Sequence, residues 1–226
     1  MIPKRLIFIW LGSEIPDYGR FCMDTFKKVN PDFEIMLVHE PDMENIQNQD
    51  LKDCLSFVYS ENYNFYKHMI VRPWVKKHLF SEVGHMTAIS DAFRFYLLNK
   101  YGGIYLDLDT FPVKSFDDKL LSYENGFTVN FFKRRCDYFF MGFNSGCVDC
   151  GRLLGYRQEY AMGQVFSNKV HKIKYPEELV SKFKIIKPHI MEKFKQGTLQ
   201  FGESLMCQLW PEYYIDHFRI GSWKLV

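Results

Sequence analysis

Two aspartates one residue apart, Asp107 and Asp109, close the apolar run Ile104-Tyr105-Leu106. Side chains alternate along an extended chain, so this spacing puts both carboxylates on one side. Two carboxylates held together repel, and each costs free energy to remove from water. A divalent cation relieves both costs. Hard oxygen ligands at a strand end suit Mg²⁺ or Mn²⁺, with waters and phosphate oxygens completing the shell. An Asp-x-Asp pair alone also fits a solvated loop, but the context narrows the reading. Upstream lies Ser90-Asp91-Ala92-Phe93-Arg94, within a segment of helical periodicity. Asp91 and Arg94 stand three residues apart and share a helical face. That face also carries Phe95 and Leu98, and the opposite one carries Ile89 and Phe93. A helix apolar on both sides is a buried helix. A charged pair on it needs a polar partner, and a sugar or a phosphate is a natural one.

These side chains need elements to hold them. Residues 6–10 (Leu-Ile-Phe-Ile-Trp) form a continuous apolar run that predicts a buried strand. Gly12 and Pro16 punctuate it, and Asp17 opens a helix to about Val29, stopped by Asn30-Pro31-Asp32. A second strand is expected at 34–39. This strand–helix–strand opening is like the first half of a nucleotide-binding sheet. Residues 44 to about 60 predict a helix and 62–68 a loop. The clearest helix covers 87–100, ended by Tyr101-Gly102-Gly103 because glycine tolerates a left-handed cap. Strands are expected at 104–108, 127–131 and 138–143, and helices at 150–160 and 176–183. The alternation predicts an α/β sheet with helices on both faces. The carboxyl ends of such strands are where ligands bind, and the acidic pair falls at one of them.

The 226 residues fit one domain with no repeat or linker. Lys and Arg total 29 against 27 Asp and Glu, a net charge of +2 that leaves no footprint for duplex nucleic acid. Lys133-Arg134-Arg135 reads as a solvated turn. No apolar run approaches the ~20 residues of a membrane span. The start, Met1-Ile2-Pro3-Lys4-Arg5, lacks the pattern of a cleaved leader. The expectation is a cytosolic protein, with peripheral association at the inner membrane face left open. Six cysteines are then reduced, and Cys147-Val148-Asp149-Cys150, lacking a second pair, reads as ordinary thiols. Aromatic residues reach 18%, a surplus that serves a large core and suits stacking on flat ligands.

Asp91-x-x-Arg94 followed by Tyr101-Gly-Gly-Ile-Tyr-Leu-Asp107-x-Asp109 resembles the signature of glycosyltransferase family 32. These are sugar-transferases with a DXD motif, related to the glucosylating domains of the large clostridial toxins. The opening Ile2-Pro3-Lys4 with Phe8-Ile9-Trp10-Leu11-Gly12 is similar to the family's first strand. The closing His217…Gly221-Ser222-Trp223 is similar to its C-terminal motif. The resemblance implies a single GT-A type α/β domain with a mixed central sheet. Residues up to about 110 would form the nucleotide-sugar-binding half, and the remainder the acceptor half and a C-terminal lid. It implies a retaining transfer from a nucleotide-sugar, a UDP-sugar before a GDP-sugar, dependent on Mn²⁺ or Mg²⁺. The acceptor would be an oligosaccharide or a lipid-linked glycan, in capsule or other surface polysaccharide synthesis.

Residue by residue, the resemblance gives Asp109 as metal ligand, completed by His217. Asp107 would contact ribose or sugar hydroxyls and touch the metal through water. Asp91 and Arg94 would hold the donor sugar, so Asp91, Arg94 and Asp107 form the catalytic group. Trp10 and Tyr105 would flank the base, and Ser222 and Trp223 would lie over the diphosphate. Asn130 and Asn144 both match an Asn-containing segment of the family. No nucleophile for a double displacement is evident, and a front-face substitution is the alternative. Two other classes compete. A phosphatase of the Asp-x-Asp-x-Thr type needs its threonine one position later than Thr110. A non-catalytic nucleotide-sugar binder is disfavoured by the intact Asp91, Arg94, Asp107 and Asp109.

Overall fold

A computed structural model describes residues 1–59, 82–130, 136–146, 171–174, 188–209, 211–218 and 220. The uninterrupted apolar run of the N-terminus becomes β1 (Arg5–Leu11), with Leu6, Ile7, Phe8 and Ile9 all buried. Both faces of such a strand must be covered, which requires helices on either side. Helix α1 (Asp17–Val29) starts behind Pro16 with Asp17 in its first turn and Lys27 and Lys28 in its last. Those charges complement the helix dipole. The Asn30 backbone N–H and side-chain amide both donate to Phe26 O and stop the helix. β2 (Glu34–Glu40) then returns parallel to β1, in register from Arg5 opposite Glu34 to Leu11 opposite Glu40.

Among the described residues the remaining elements are α2 (Gln49–Tyr59), α3 (Glu82–Tyr101), β3 (Gly103–Leu106), β4 (Thr110–Pro112), α4 (Asp118–Leu121), β5 (Phe127–Asn130) and β6 (Cys136–Phe143), then β7 (His171–Lys174), a helix α5 over 188–195, α6 (Leu205–Leu209) and β8 (Ile215–His217). The main sheet runs β2-β1-β3-β6-β5-β7. β3 is parallel to β1, whereas β6 is antiparallel to both β3 and β5. The sheet is therefore mixed, as expected. β4 and β8 form a separate antiparallel pair.

Strand alternation splits the core into two layers. Leu6, Phe8, Ile104 and Leu106 meet Cys22 and Phe26 of α1 and Phe194 of α5. Ile7, Ile9 and Tyr105 face the other way, onto Leu51 and Cys54 of α2 and Ile89, Phe93 and Leu97 of α3. Helices thus cover both faces. Around α3, Phe93, Phe95, Leu97 and Leu98 are all buried, which confirms the helix read as apolar on both sides.

The α3–β3 connection sets the position of the acidic pair. Gly102 N–H donates to Leu98 O, and Gly102 and Gly103 have φ of 64° and 119°. A Cβ on Gly103 would lie 2.8 Å from Arg5 O, so glycine lets β3 close against β1. With β1, β2 and β3 parallel, their carboxyl ends share one edge of the sheet.

Two boundaries differ from expectation. α2 begins at Gln49, not near residue 44. Asp42 Oδ1 accepts the Glu44 and Asn45 N–H groups, Glu40 Oε2 accepts those of Gln47 and Asn48, and Asn48 Oδ1 caps Leu51 N–H. Those carboxylates hold 42–48 as a loop. β3 ends at Leu106, so Asp107 and Asp109 lie on a turn rather than on the strand. The expectations for 62–68, 150–160, 176–183, Lys133-Arg134-Arg135, Cys147, Cys150, Ser222 and Trp223 lie outside the described residues. Among the described residues, no helix is long and apolar enough to cross a membrane.

Candidate metal and donor site

Asp107 leaves β3 with its N–H donating to Phe139 O of β6 at 3.0 Å. Two residues later Asp109 completes the turn, and the chain re-enters extended structure at Thr110. Here β4 meets β8, with Thr110 opposite His217. This pairing brings a residue 108 positions away in sequence into the turn. His217 Nε2 lies 3.1 Å from Asp109 Oδ1 and 3.8 Å from Asp107 Oδ2. The Phe139 ring stacks on the His217 ring at 4.1 Å and fixes its plane. Ile220 N–H donates to Asp109 Oδ2 at 2.8 Å, and Phe218 N–H donates to Asp109 O at 2.9 Å. One ligand atom each from Asp107, Asp109 and His217 lie within 4.8 Å of one another.

A second cluster supports Asp107 from the helix side. Arg94 is 7% exposed. Its Nη2 lies 2.7 Å from Asp91 Oδ1 and its Nη1 3.4 Å from Asp107 Oδ1. The guanidinium carbon sits 4.5 Å from the centre of the Tyr105 ring, and the Tyr105 hydroxyl donates to Asp107 Oδ1 at 2.8 Å. Arg94 and Tyr105 therefore engage one Asp107 oxygen and leave Oδ2 on the His217 side. Asp91 and Arg94 are together with the acidic pair, as the sequence implies.

The two carboxyls titrate in opposite directions. Burial pushes Asp107 above the usual aspartate range, and the charge of Asp109 adds to it against Arg94. Burial opposes charge on Asp109 too, but the His217 ring and the Ile220 N–H outweigh it and hold its pKa low. The donor set is two carboxylates and an imidazole in a cluster where one carboxyl is strained toward protonation. Such a set fits a divalent cation, which offsets the repulsion that raises Asp107.

Tyr105 needs a correction as a base-stacking residue. It is 2% exposed, and its ring lies beneath Arg94 on the α3 side of the sheet. An inward position on a fully buried strand leaves no open face, so Tyr105 supports Asp107 and Arg94 instead. Trp10 lies at the same carboxyl edge, on the strand beside β3, and is half-buried. Its Nε1–H donates to Ser13 Oγ and Glu14 O, and its ring packs edge-on against Tyr18. Asn144 donates to Glu124 O, and Asn130 ends β5. Sequence reasoning missed Thr110, Cys22, Phe139 and the Ile220 backbone. Only Thr110 carried a signal, being the hydroxyl residue directly after the pair.

Residues 16–127 match the model of a glycosyltransferase sugar-binding region containing a DXD motif. These residues are similar to the sugar-binding region of DXD glycosyltransferases. The matched span includes Asp91, Arg94, Tyr105, Asp107 and Asp109. Trp10 and His217 fall outside it, and the fold brings His217 to the pair. Among solved structures, PaToxG glycosyltransferase superposes with a TM-score of 0.47 and 16% identity over 88% of this chain and 74% of its own. A ligand-free glycosyltransferase domain of the YGT toxin gives 0.34 and 13%, over 50% of this chain and 40% of its own. A UDP-bound form of that domain gives 0.31 and 14%, over 53% and 41%. The chain thus spans about two fifths of the YGT chains. No curated protein matches it in sequence.

Proposed function

We propose that this protein is a metal-dependent glycosyltransferase that moves a sugar from a UDP-sugar to an oligosaccharide or lipid-linked glycan with retention of configuration. The observation that carries the metal reading is the convergence of Asp107, Asp109 and His217. Two carboxylate oxygens and an imidazole nitrogen favour Mn²⁺ before Mg²⁺, which prefers an all-oxygen shell. When bound, the cation would neutralise charge on the departing nucleoside diphosphate.

The chain's own residues do the rest. Arg94 and Tyr105 fix Asp107 by one oxygen, which leaves the other for a donor hydroxyl or the metal side. Asp91 is held by Arg94 through Oδ1. A carboxylate paired with a guanidinium is a poor nucleophile and a good acceptor of sugar hydroxyls. That supports binding for Asp91 and a front-face route for the transfer. Trp10, half-buried at the carboxyl edge of the sheet, remains the residue we assign to the base. Ser222 and Trp223 belong to the diphosphate in this reading. The donor half would end near residue 110, and His217 from the second half would complete the metal site. Synthesis of a surface polysaccharide at the inner membrane face is the setting we propose, on the family resemblance.

A panel of UDP- and GDP-sugars with Mn²⁺, read as nucleoside diphosphate release, tests this. One UDP-sugar should be hydrolysed slowly without acceptor, and EDTA should abolish the signal. Asp109→Ala should lower it about 100-fold or more. Full activity of Asp109→Ala with unchanged Mn²⁺ dependence would remove the metal assignment.

A further inference from the structure

The acidic pair stands on a turn, and a turn fixes its side chains less well than a strand does. Something must therefore hold the spacing of the two carboxylates. The Thr110 side chain is fully buried, and its Oγ1–H donates to Asp107 O at 2.7 Å across the turn. The hydroxyl's one proton is then engaged, so its oxygen is left to accept. The Cys22 thiol of α1 lies 3.8 Å from Thr110 Oγ1 and 4.0 Å from Asp107 O. The Cys22 side chain is fully buried, so its S–H has these two oxygens as its neighbours. Thr110 also follows Asp109 directly in the chain and stands opposite His217 in the β4–β8 register.

We infer that Thr110, backed by Cys22, is the positioning residue of the metal site. Its side chain ties down the backbone of one ligand, its backbone continues from the second, and its strand pairing aligns the third. Thr110 touches neither metal nor sugar in this arrangement and acts through Asp107. The inference rests on the metal reading of the preceding subsection. Groups that orient metal ligands in this way typically set affinity by about 10–100-fold.

The test is Mn²⁺ binding in the presence of UDP, followed by the electron paramagnetic resonance signal of free Mn²⁺. The full chain is used, with folding checked by circular dichroism. Wild type should retain Mn²⁺ and Asp109→Asn should not. Absence of Mn²⁺ binding by wild type would defeat the metal reading itself, whatever the variants do. Thr110→Val keeps the shape and loses the hydroxyl. It should weaken Mn²⁺ binding about 10–100-fold, and Thr110→Ser should restore it. In turnover, the loss should appear in the Mn²⁺ concentration for half-maximal rate rather than in the rate at saturating Mn²⁺. Should Thr110→Val not fold, Thr110→Ala against Thr110→Ser gives the same comparison, and Cys22→Ala should show a smaller loss in the same direction. Wild-type Mn²⁺ affinity in folded Thr110→Val or Thr110→Ala would overturn the inference. So would equal losses in Thr110→Ser and Thr110→Val, since packing and not the hydroxyl would then matter.

Discussion

Arg94 is the residue on which the charged cluster balances. It lies between Asp91 and Asp107 and over the Tyr105 ring, and it is itself buried. Removing one partner from a buried ion cluster is costly because the others stay behind. Asp107 keeps 28% of its side chain exposed, so the cost falls below that of a fully buried pair. Arg94→Met, which keeps much of the volume, should destabilise the protein by about 2 kcal/mol, read by urea denaturation. It should also move the pH dependence of transfer. Arg94 opposes the rise of the Asp107 pKa, so its loss raises that pKa further. Asp107 then protonates at higher pH, and the acidic limb of the rate profile should shift upward. An unmoved acidic limb would show that Asp107 need not be charged for transfer.

At the scale of elements, the site depends on where β3 starts and where β8 pairs. Gly103 has φ of 119° and a forbidding contact with Arg5 O, so Gly103→Ala meets both strain and overlap. A loss of about 1–3 kcal/mol is expected, with weaker donor binding because the β3 end carries Asp107. On β8, Asp216 is buried, and its pKa is pushed up from 3.8 to about 6 by burial, against the hydrogen bond from Met206 N–H. A raised folded pKa gives stability that is full below the ordinary aspartate range and is lost as pH rises through about 6. Asp216→Asn mimics the protonated form. Its melting temperature should exceed that of wild type at pH 7.5 by an amount worth up to about 3 kcal/mol, with the gap closing toward pH 4. A constant gap across that range would mean that Asp216 does not titrate there. Some of these elements were legible in the sequence. α3 was, because a helix with Phe93, Phe95, Leu97 and Leu98 buried together leaves an apolar signature on two faces. β1 was, because a strand covered twice has no polar alternation. β4 and β8 were not, since three-residue strands have no periodicity and their pairing spans more than 100 positions. The turn at Asp107 was misread as strand because its closing bond comes from a side chain, Thr110, which no periodicity records.

Across the whole molecule, the candidate metal site joins distant parts of the chain. Asp107 and Asp109 follow the third strand of the sheet, and His217 comes from a strand in another pair. A cation held at this site, with Arg94 beside it, would meet the charge of a diphosphate. A cation held by all three ligands would close a loop of more than 100 residues between the turn and β8. It would bind the folded chain and not the unfolded one, because only folding brings His217 to the pair. Linkage then requires Mn²⁺ with UDP to stabilise the fold, by about 2.7 kcal/mol at a concentration 100 times the Kd. For a chain of this length that corresponds to a rise of about 5–10 °C in melting temperature. Thermal unfolding should show this rise in Mn²⁺ and UDP and its reversal by EDTA. Asp109→Asn should show none of it, and His217→Ala should show a reduced rise, since the two carboxylates lie on one turn and close no loop by themselves. A full rise in His217→Ala would place the cation on the acidic pair alone and free β8 from the site.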